Sequence, residues 1–347
     1  MNRNDLLRAL KAVIPGVSKG EALLIGADSF IFRRGLIQSY NDVLSVTFPL
    51  DVGIEATVKA AELVKVLEKM SGADIKLEVN DKSLEISDGV TTLSMRLIEA
   101  GTMALLESLA LEDLEWLPLP KDFVKALTLC LPSVSRNVVH GALTGIRIEN
   151  DCLLSTDNFR ATWVELETPM SPSGFPFSGI TLPGDAAIDL LKLQNLEQFS
   201  FTDAWAHFLS SEGAVFSSRL IASDFPAEPL KQMFPEPGHG SYQLPDGLEK
   251  TLERVRVLAY TQDDGSDYVT MSEDKGNLKI KGERQFGSIK EKIKLKAGEW
   301  PDGVIINIQP GHLLDIMSKT RDFQMVDKLA YFHGPRFKHI ISTIIKD

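Results

Sequence analysis

The sequence repeats a short helical pattern at domain-sized intervals. Residues 4–10 (NDLLRAL) are matched by residues 121–127 (KDFVKAL) and more loosely by residues 246–252 (DGLEKTL). The three segments begin 117 and 125 residues apart. Self-similarity at such a period indicates that one supersecondary plan is used three times. A chain of this kind is expected to work through a curved or closed surface more than through a single catalytic pocket.

A second apolar helical pattern lies within each third of the chain, at residues 63–67, 187–191 and 313–317. These segments begin 124 and 126 residues apart, and alternating, β-branched segments follow every helical pattern. Each third is therefore predicted to contain two halves, each a helix followed by strands. The six predicted helices cover residues 2–14, 58–70, 120–131, 184–194, 245–258 and 310–321.

Two connectors separate the thirds. Residues 112–118 are acidic and end in Pro118, and residues 235–240 are rich in proline and glycine. The sequence therefore predicts an α+β protein with domains at residues 1–114, 115–237 and 238–347. In each domain we expect two helices packed on antiparallel sheets.

Charge gives a further constraint, because the 347-residue chain carries a formal net charge of −11. Binding to nucleic-acid phosphates depends on where lysine and arginine lie more than on their sum. The six predicted helices hold 14 basic and 10 acidic residues, whereas the rest of the chain is strongly acidic. If the helices share one side of the molecule, that side is positive. The alternative is that these are ordinary solvated helix faces.

The sequence offers no convincing catalytic or metal-binding pattern. Its six histidines have no i, i+4 pair and no accompanying carboxylate cluster, and no cofactor motif stands in a proper strand–helix context. The two cysteines, Cys130 and Cys152, form no CxxC pair and favour a reducing, cytoplasmic setting over a disulfide scaffold. No apolar run is long enough to span a bilayer. We therefore expect a protein that is not an enzyme, with no cofactor, no metal and no membrane contact.

Several local strings, taken together with the repeat, resemble the bacterial DNA sliding clamp, the beta subunit of DNA polymerase III. Residues 156–161 (TDNFRA) stand where that family has Thr-Asp-Gly-His-Arg-Leu. Residues 218–226 (SRLIASDFP) resemble its Ser-Lys-Leu string ending in Phe-Pro, and residues 143–146 (LTGI) resemble its Leu-Asn-Gly string. The resemblance covers essentially the whole chain and keeps the family's order.

The resemblance implies three clamp domains per chain and a ring of two chains joined head to tail, with the helices lining a hole that holds duplex DNA. Contacts to the DNA backbone would be diffuse and independent of base sequence. The basic residues on the predicted helices that would then face the DNA are Arg3, Arg8, Lys11, Lys65, Lys69, Lys121, Lys125, Lys192, Lys250, Arg254, Lys319 and Arg321.

The family's dimer joint would bring Leu93 and Met95 of one chain against Val257 and Leu258 of the other. The ion pairs of that joint are not preserved, since residues 290–294 (KEKIK) are more basic than the family pattern. The family also docks short hydrophobic peptides of polymerases and the clamp loader between its second and third domains. Carried over, that pocket comprises Leu154, Thr156, Asn158, Phe159, Arg160, Ala161, Pro226, Met233, Ile341, Thr343 and Ile344.

This chain departs from the family pattern at the pocket, where Asn158 and Phe159 replace Gly-His and the C-terminal residues differ. We therefore expect ordinary bacterial clamp-binding peptides to bind weakly. The resemblance implies a homodimeric, cytoplasmic clamp that encircles double-stranded DNA and tethers a polymerase to raise its processivity. The alternative is a clamp-like scaffold that binds proteins and does not encircle DNA.

Overall fold

The computed structural model describes residues 1–343, apart from residues 19, 21–23, 99–102, 108, 172–176, 237–240, 262–266 and 302. Contacts within the chain divide it into two units. Unit 1 comprises residues 1–121 and 170–222, and unit 2 comprises residues 122–169 and 223–347. The second predicted domain is thus shared between the two units, and the division into three domains stays a prediction.

The helices of the described residues are short. They are α1 (Arg3–Val13), α2 (Ala60–Leu67), α3 (Met103–Glu107), α4 (Phe123–Cys130), α5 (Gly184–Leu190), α6 (Ala227–Gln232), α7 (Leu248–Val255) and α8 (Pro310–Met317). All six helices expected from the sequence are present as α1, α2, α4, α5, α7 and α8. Three of them run into 3-10 turns, at Ile14–Gly16, Leu131–Ser133 and Arg256–Leu258.

The described residues form 24 strands, numbered here in chain order. The first twelve are β1 (Ser29–Arg33), β2 (Leu36–Tyr40), β3 (Leu44–Pro49), β4 (Ala56–Lys59), β5 (Lys76–Val79), β6 (Ser83–Ser87), β7 (Thr92–Arg96), β8 (Leu117–Pro118), β9 (Gly145–Ile148), β10 (Cys152–Thr156), β11 (Arg160–Glu165) and β12 (Ile180–Pro183). The others are β13 (Leu196–Phe201), β14 (Trp205–Ser210), β15 (Val215–Arg219), β16 (Tyr242–Gln243), β17 (Tyr260–Thr261), β18 (Asp267–Asp274), β19 (Asn277–Arg284), β20 (Gly287–Lys294), β21 (Ile305–Ile308), β22 (Asp322–Val326), β23 (Leu329–Gly334) and β24 (Phe337–Ser342).

Unit 1 holds two antiparallel sheets. The larger has the strand order β4-β1-β2-β3-β15-β14-β13-β8, and the smaller has the order β5-β6-β7. In the larger sheet β3 pairs with β15, so that Ser45 lies opposite Ser217 and Thr47 lies opposite Val215. Strands separated by more than 160 residues in sequence are thereby joined in one sheet.

Helix α1 packs on the larger sheet of unit 1 because its sequence is amphipathic. The Asn2 side chain caps the helix by accepting a hydrogen bond from the backbone N–H of Asn4 at 2.8 Å. Leu6, Leu10 and Val13 are completely buried, and polar residues occupy the outer face. Helix α2 packs beside α1 and buries its own apolar side.

Unit 2 also contains two antiparallel arrangements. The strands of one run in the order β9-β10-β11-β24-β23-β22-β16, and those of the other run β17-β18-β19-β20 with β21 beside β18. Here β11 pairs with β24, which places Ala161 opposite Ile340 and Trp163 opposite Lys338. This joint corresponds in unit 2 to the β3–β15 joint of unit 1.

Helices α4 and α7 each cover one side of a sheet in unit 2. Ser155 on β10 donates a hydrogen bond to the Cys130 carbonyl at the end of α4, at 2.7 Å. On the other sheet, Gly282 of β19 lies directly under the end of α7. A Cβ atom at Gly282 would come within 2.6 Å of the Leu258 carbonyl oxygen, so only glycine allows this close approach.

Candidate functional site

An apolar surface forms on the side of the β10-β11-β24-β23 sheet that faces away from α4. The alternation of the strands brings Cys152, Leu154, Ala161, Tyr331 and Ile340 to this side, and all five are buried. We call these five residues the apolar face. Helix α6 lies over part of it.

Helix α6 covers the apolar face through three apolar side chains. Ala227 and Leu230 lie on the helix and Phe234 follows it, and all three are buried against the face. Trp163 extends the apolar surface, with its ring 5.6 Å from that of Phe234 in an edge-to-face arrangement. The Lys338 ammonium lies over the Trp163 ring, 4.3 Å from its centre.

Lys231 fixes the position of α6. Its ammonium donates to Glu149 at 2.5 Å and to Glu228 at 3.0 Å. Burial lowers the pKa of Lys231, but the hydrogen bonds to Glu149 and Glu228 outweigh burial and the pKa is raised. The ammonium is therefore charged throughout the physiological range and ties α6 to the β9–β10 turn.

The same turn contains the group of described residues best suited by distance to hold a metal ion, namely Glu149, Asp151 and Cys152. Burial raises the pKa of the Cys152 thiol, so the thiolate that a metal requires is disfavoured. Glu149 is already bound to Lys231. The chemistry of this group therefore fits an anchor for α6 better than a metal site.

The β10–β11 turn forms one end of the apolar face. Asn158 adopts a left-handed conformation with φ of 76°. The Asp157 carboxylate accepts hydrogen bonds from the backbone N–H groups of Phe159 and Arg160, both at 3.0 Å. This turn directs the Phe159 side chain outward, where 45% of it is exposed.

Arg160 links the turn to α8. Its guanidinium donates to Asp157 at 3.0 Å and to Asp315 at 2.6 Å. His312 on α8 lies beside this group, 3.6 Å from the Asp157 carboxylate, with its ring 6.5 Å from that of Phe159. Burial, and then the charge of Arg160, lower the pKa of His312 to about 3, so the imidazole is neutral at pH 7.

The structure brings most of the predicted pocket residues together, with corrections at the C-terminal end. Leu154, Thr156 and Ala161 share one side of the sheet, and Pro226 and Met233 flank α6, where Met233 is 53% exposed. The predicted residues Asn158, Phe159 and Arg160, in the β10–β11 turn, adjoin them.

Ile341 does not belong to this surface. It pairs with Arg160, which places its side chain on the opposite side of the sheet from Ile340, and it is completely buried. Thr343 is buried and donates to the Lys328 carbonyl at 2.9 Å, and Ile344 lies outside the described residues. Strand alternation separates Ile341 from the surface, because neighbouring residues point to opposite sides.

Four further residues contribute to this surface without having been predicted. They are Trp163, Leu230, Phe234 and Tyr331. The alternating pattern of residues 160–165 could have indicated Trp163, two positions after Ala161. Leu230 and Phe234 belong to a helix of only six residues, which is too short for helical periodicity to reveal.

In unit 1 the predicted DNA-facing residues lie on helices or close to helix ends, and several are paired. Arg8 contacts Glu212 at 2.8 Å, Lys11 contacts Glu68 at 2.7 Å, and Lys192 contacts Asp189 at 2.5 Å. The exposed residues with no ion pair among the described residues are Lys65, Lys69 and Lys121, and Arg3 is half-buried.

In unit 2 the predicted arginines are bound to other groups of the chain, whereas the predicted lysines have no ion pair among the described residues. Arg254 makes two hydrogen bonds to Glu291, at 2.7 and 2.5 Å. Arg321 donates to the carbonyls of Leu244 and Pro245 and is therefore held within its own unit. The lysines Lys125, Lys250 and Lys319 are exposed, with no ion pair among the described residues.

Two of the predicted joint residues lie on an edge strand, and the other two lie in the turn that follows α7. Leu93 and Met95 are on β7, the last strand of its sheet in unit 1, with Leu93 half-buried and Met95 buried. Val257 and Leu258 follow α7 in unit 2, and Val257 is 69% exposed. Leu258 packs next to Gly287, the first residue of edge strand β20.

The chain has the fold of the bacterial DNA sliding clamps. It superposes on the Caulobacter crescentus DNA polymerase III beta subunit with a TM-score of 0.82 and 17% identity, covering 100% of this chain and 99% of the other. For the Bartonella birtlesii sliding clamp bound to griselimycin the values are 0.81 and 17%, with 100% and 99% covered. For the Bacillus subtilis clamp they are 0.80 and 16%, with 100% and 98% covered.

Sequence comparison gives no such result, since neither protein-family models nor curated proteins match the chain. The fold predicted from the repeat and the local strings is confirmed by the structural similarity. Among the described residues, no helix combines the length and the apolar character needed to cross a membrane.

Proposed function

We propose that this protein is a DNA sliding clamp that encircles duplex DNA and tethers a polymerase. The observation that supports this proposal most strongly is similarity in fold to bacterial clamps over the whole length of the chain. No catalytic constellation is needed for such a role, since the clamp acts by holding its partners together.

Two sheet edges support the proposal of a closed ring, because strands in corresponding places pair with each other inside the chain. Strand β3 pairs with β15 in unit 1, and β11 pairs with β24 in unit 2. Strands β7 and β20 are each the last strand of a sheet. Pairing β20 with β7 of a second copy would give a third joint of the same kind, and two such joints close a ring.

The two internal joints predict the register of the third. Ser45 and Ala161 each lie five residues after their hairpin partner, Tyr40 or Thr156, and Ser288 stands in the same relation to Glu283. Strands β7 and β24 each follow a hairpin turn, and the corresponding positions after these turns are Ser94 in β7 and Ile340 in β24. Ser288 would therefore lie opposite Ser94 of the second copy.

This register places apolar residues together on the α7 side of the joint. Ile289 would face Leu93, and Met95 would face Gly287, next to Leu258. Lys290 would face Thr92 and would meet no like charge. The apolar contact thus replaces the ion pairs of the family pattern.

Cysteine cross-linking tests the dimer and its register. We expect the variant Ser94→Cys/Ser288→Cys to form covalent dimers on mild oxidation, because opposite residues of an antiparallel pair are within reach of a disulfide. Ser94→Cys/Lys292→Cys is the out-of-register control and should remain monomeric on a denaturing gel. The native cysteines are both buried and should not interfere. Equal cross-linking of the two variants would refute the register.

Contact with DNA would come from exposed lysines on the helices. Lys65, Lys125 and Lys250 are exposed without ion pairs among the described residues and can neutralise phosphates directly. Arginines already bound to carboxylates would have to exchange partners. Affinity for the backbone is therefore expected to be weak, with retention provided by the closed ring.

Retention on circular DNA tests the encircling function. Protein loaded on a nicked circular duplex should remain bound through gel filtration at high salt and should be released when the circle is cut. The variant Lys65→Glu/Lys125→Glu/Lys250→Glu should load at least tenfold less, and Lys82→Glu/Lys275→Glu/Lys328→Glu, in hairpin turns, is the matched control. Equal retention on circular and linear DNA would contradict encirclement and favour the protein-binding scaffold.

Tethering would use the exposed residues Phe159 and Met233 at the rim of the buried apolar face. A short hydrophobic segment of a polymerase or a clamp loader would place large apolar side chains beside α6. The two half-exposed side chains at the rim support this assignment. The replacement of Gly-His by Asn158 and Phe159 predicts a preference that differs from ordinary clamp peptides.

A further inference from the structure

A second basic surface lies on a sheet of unit 2, away from the helices. Five lysines on β19 and β20 point to one side of this sheet. They are Lys279, Lys281, Lys290, Lys292 and Lys294, and we call them the lysine face. Lys281 lies opposite Lys290, and Lys279 lies opposite Lys292.

Strand alternation separates the lysine face from the helix side of the sheet. Glu291, between two of the lysines, binds Arg254 of α7 at 2.5 Å, so the odd-numbered positions of β20 face the helix. Lys290, Lys292 and Lys294 are all exposed on the other side. The helix surface assigned to duplex DNA and the lysine face are therefore on opposite sides of one sheet.

The charge of the lysine face is only partly compensated. Lys279 contacts Asp274 at 2.5 Å, and Lys281 contacts Glu283. Lys290, Lys292 and Lys294 have no ion pair with any residue that the structure describes. Like charges placed directly opposite each other destabilise a sheet. The opposed lysines of this face are therefore unfavourable for the sheet itself, and their presence in a chain of net charge −11 indicates an anionic partner.

Exposed aromatic rings lie at one end of the lysine face. Phe286, in the turn between β19 and β20, is 78% exposed. Tyr260 is 44% exposed and pairs with Tyr268, which is buried and whose ring centre is 4.8 Å away. Tyr268 lies two residues before Thr270, which pairs with Lys281, so these tyrosines share the side of the lysines.

We propose that the lysine face binds single-stranded DNA. Alternate lysines on one strand are about 6.8 Å apart, a spacing comparable to that of successive phosphates in an extended polynucleotide strand. Exposed aromatic rings at the end of a basic track offer platforms on which unpaired bases stack. Bases of a duplex are not accessible for stacking, and an acidic peptide carries no bases to stack on the rings. The combination favours an unpaired polynucleotide.

Dimerisation would leave this site accessible. The proposed joint uses the hydrogen-bonding edge of β20, whereas the lysines extend from the surface of the sheet. Thr92 and Ser94 of the second copy would extend this surface with neutral side chains. The site and the ring are therefore compatible but independent.

Fluorescence anisotropy with a labelled oligothymidylate of 20 nucleotides tests the proposal on the full-length protein. We expect binding that weakens with salt. The variant Lys290→Gln/Lys292→Gln/Lys294→Gln should lose at least tenfold in affinity and about two units of the salt slope. Phe286→Ala should lose about fivefold or more.

The variant Lys82→Gln/Lys328→Gln, which removes two exposed lysines from hairpin turns outside the lysine face, is the control and should bind the oligonucleotide like the unmodified protein. A linear single strand cannot be retained by topology, so this result does not depend on whether the protein encircles a duplex. Unchanged thermal melting of the glutamine variant excludes misfolding as the cause of a loss.

Two outcomes would overturn the proposal. One is the absence of salt-dependent oligonucleotide binding, which would mean that the lysines only prevent the edge strand from pairing with other chains. The other is binding that is unaffected by Phe286→Ala and is abolished equally by polyglutamate, which would point to an acidic protein partner.

Discussion

The two units contain similar sheet surfaces with different residues on them. In unit 1 the β2–β3 turn has Asp42 at φ of 75°, and in unit 2 the β10–β11 turn has Asn158 at φ of 76°. In both turns the preceding side chain, Asn41 or Asp157, accepts two backbone hydrogen bonds. The repeat therefore extends to the conformation of single residues.

The rows of side chains beyond these turns differ in chemistry. In unit 1 the row across β3, β15 and β14 is Ser45, Ser217 and His207, with His207 and Ser217 hydrogen-bonded at 2.8 Å. In unit 2 the corresponding row is Ala161, Ile340 and Tyr331. The same backbone arrangement thus carries a polar buried row in unit 1 and an apolar buried row in unit 2, and the difference lies only in the side chains of these rows.

The largest expected effect comes from making the apolar row polar. Ile340 is 2% exposed, so Ile340→Ser should lower the free energy of unfolding by about 3–4 kcal/mol through lost burial and a buried hydroxyl. Urea unfolding measures the change. Ser217→Ala, at the corresponding position of unit 1, should lower it by only about 1–2 kcal/mol, the effect of leaving His207 without its partner.

The conservative variant Ile340→Val is the control for Ile340→Ser and should lower the free energy of unfolding by only about 1 kcal/mol. Equal losses for Ile340→Ser and Ser217→Ala would show that the two rows do not differ as described.

Buried histidines should make unit 2 more sensitive to acid than unit 1. Burial lowers the pKa of His207 in unit 1 to about 4, and burial lowers those of His312 and His339 in unit 2 to about 3. Below about pH 6.5 these histidines bind protons in the unfolded chain but stay neutral in the folded protein. The free energy of unfolding therefore falls as the pH decreases. Between pH 7 and pH 5 each histidine should remove about 1–2 kcal/mol of stability.

Hydrogen exchange resolved by peptide measures this difference, with protection in unit 2 falling further than in unit 1 at pH 5. His312→Gln should reduce the acid sensitivity of unit 2 and leave that of unit 1 unchanged. An identical pH dependence of the two units would contradict this account.

Peptide affinity should depend on the rim of the apolar face. Phe159→Ala and Met233→Ala should each weaken binding of a labelled peptide with two adjacent large apolar residues by about tenfold, because each removes a half-exposed contact. Val43→Ala alters the corresponding turn residue of unit 1 and is the matched control, with no expected effect. Calorimetric titration measures all three variants, and a loss on Val43→Ala equal to the others would place the peptide elsewhere.

The sequence predicts the repeated parts of the molecule better than the parts that distinguish one unit from the other. The apolar stripes of α1 and α7 recur at a fixed period, so both helices could be placed from the sequence. Helices α3 and α6, of five and six residues, have no detectable period. Trp163 and Tyr331 meet on one surface only because β11 and β23 both flank β24, a long-range pairing that local patterns do not encode.

The misplacement of Ile341 has the same origin. Its neighbour Ile340 is part of the apolar face, and a shift of one residue in a strand moves a side chain to the other side of the sheet. The register between β11 and β24 decides which isoleucine faces α6. That register depends on residues more than 170 positions apart, such as Thr162 and His339.

The smallest expected effect concerns the two left-handed turn residues. The exposed Asn158 adopts a conformation that glycine adopts without strain, so Asn158→Gly should raise the free energy of unfolding by about 0.5 kcal/mol. Asp42→Gly relieves the same strain but removes the carboxylate that accepts from Arg219 at 3.0 Å. An exposed ion pair contributes about 0–1 kcal/mol, so the two effects should nearly cancel. Equal stabilisation in urea by both substitutions would show that the Asp42–Arg219 contact contributes nothing, and that the turns are equivalent in energy as well as in shape.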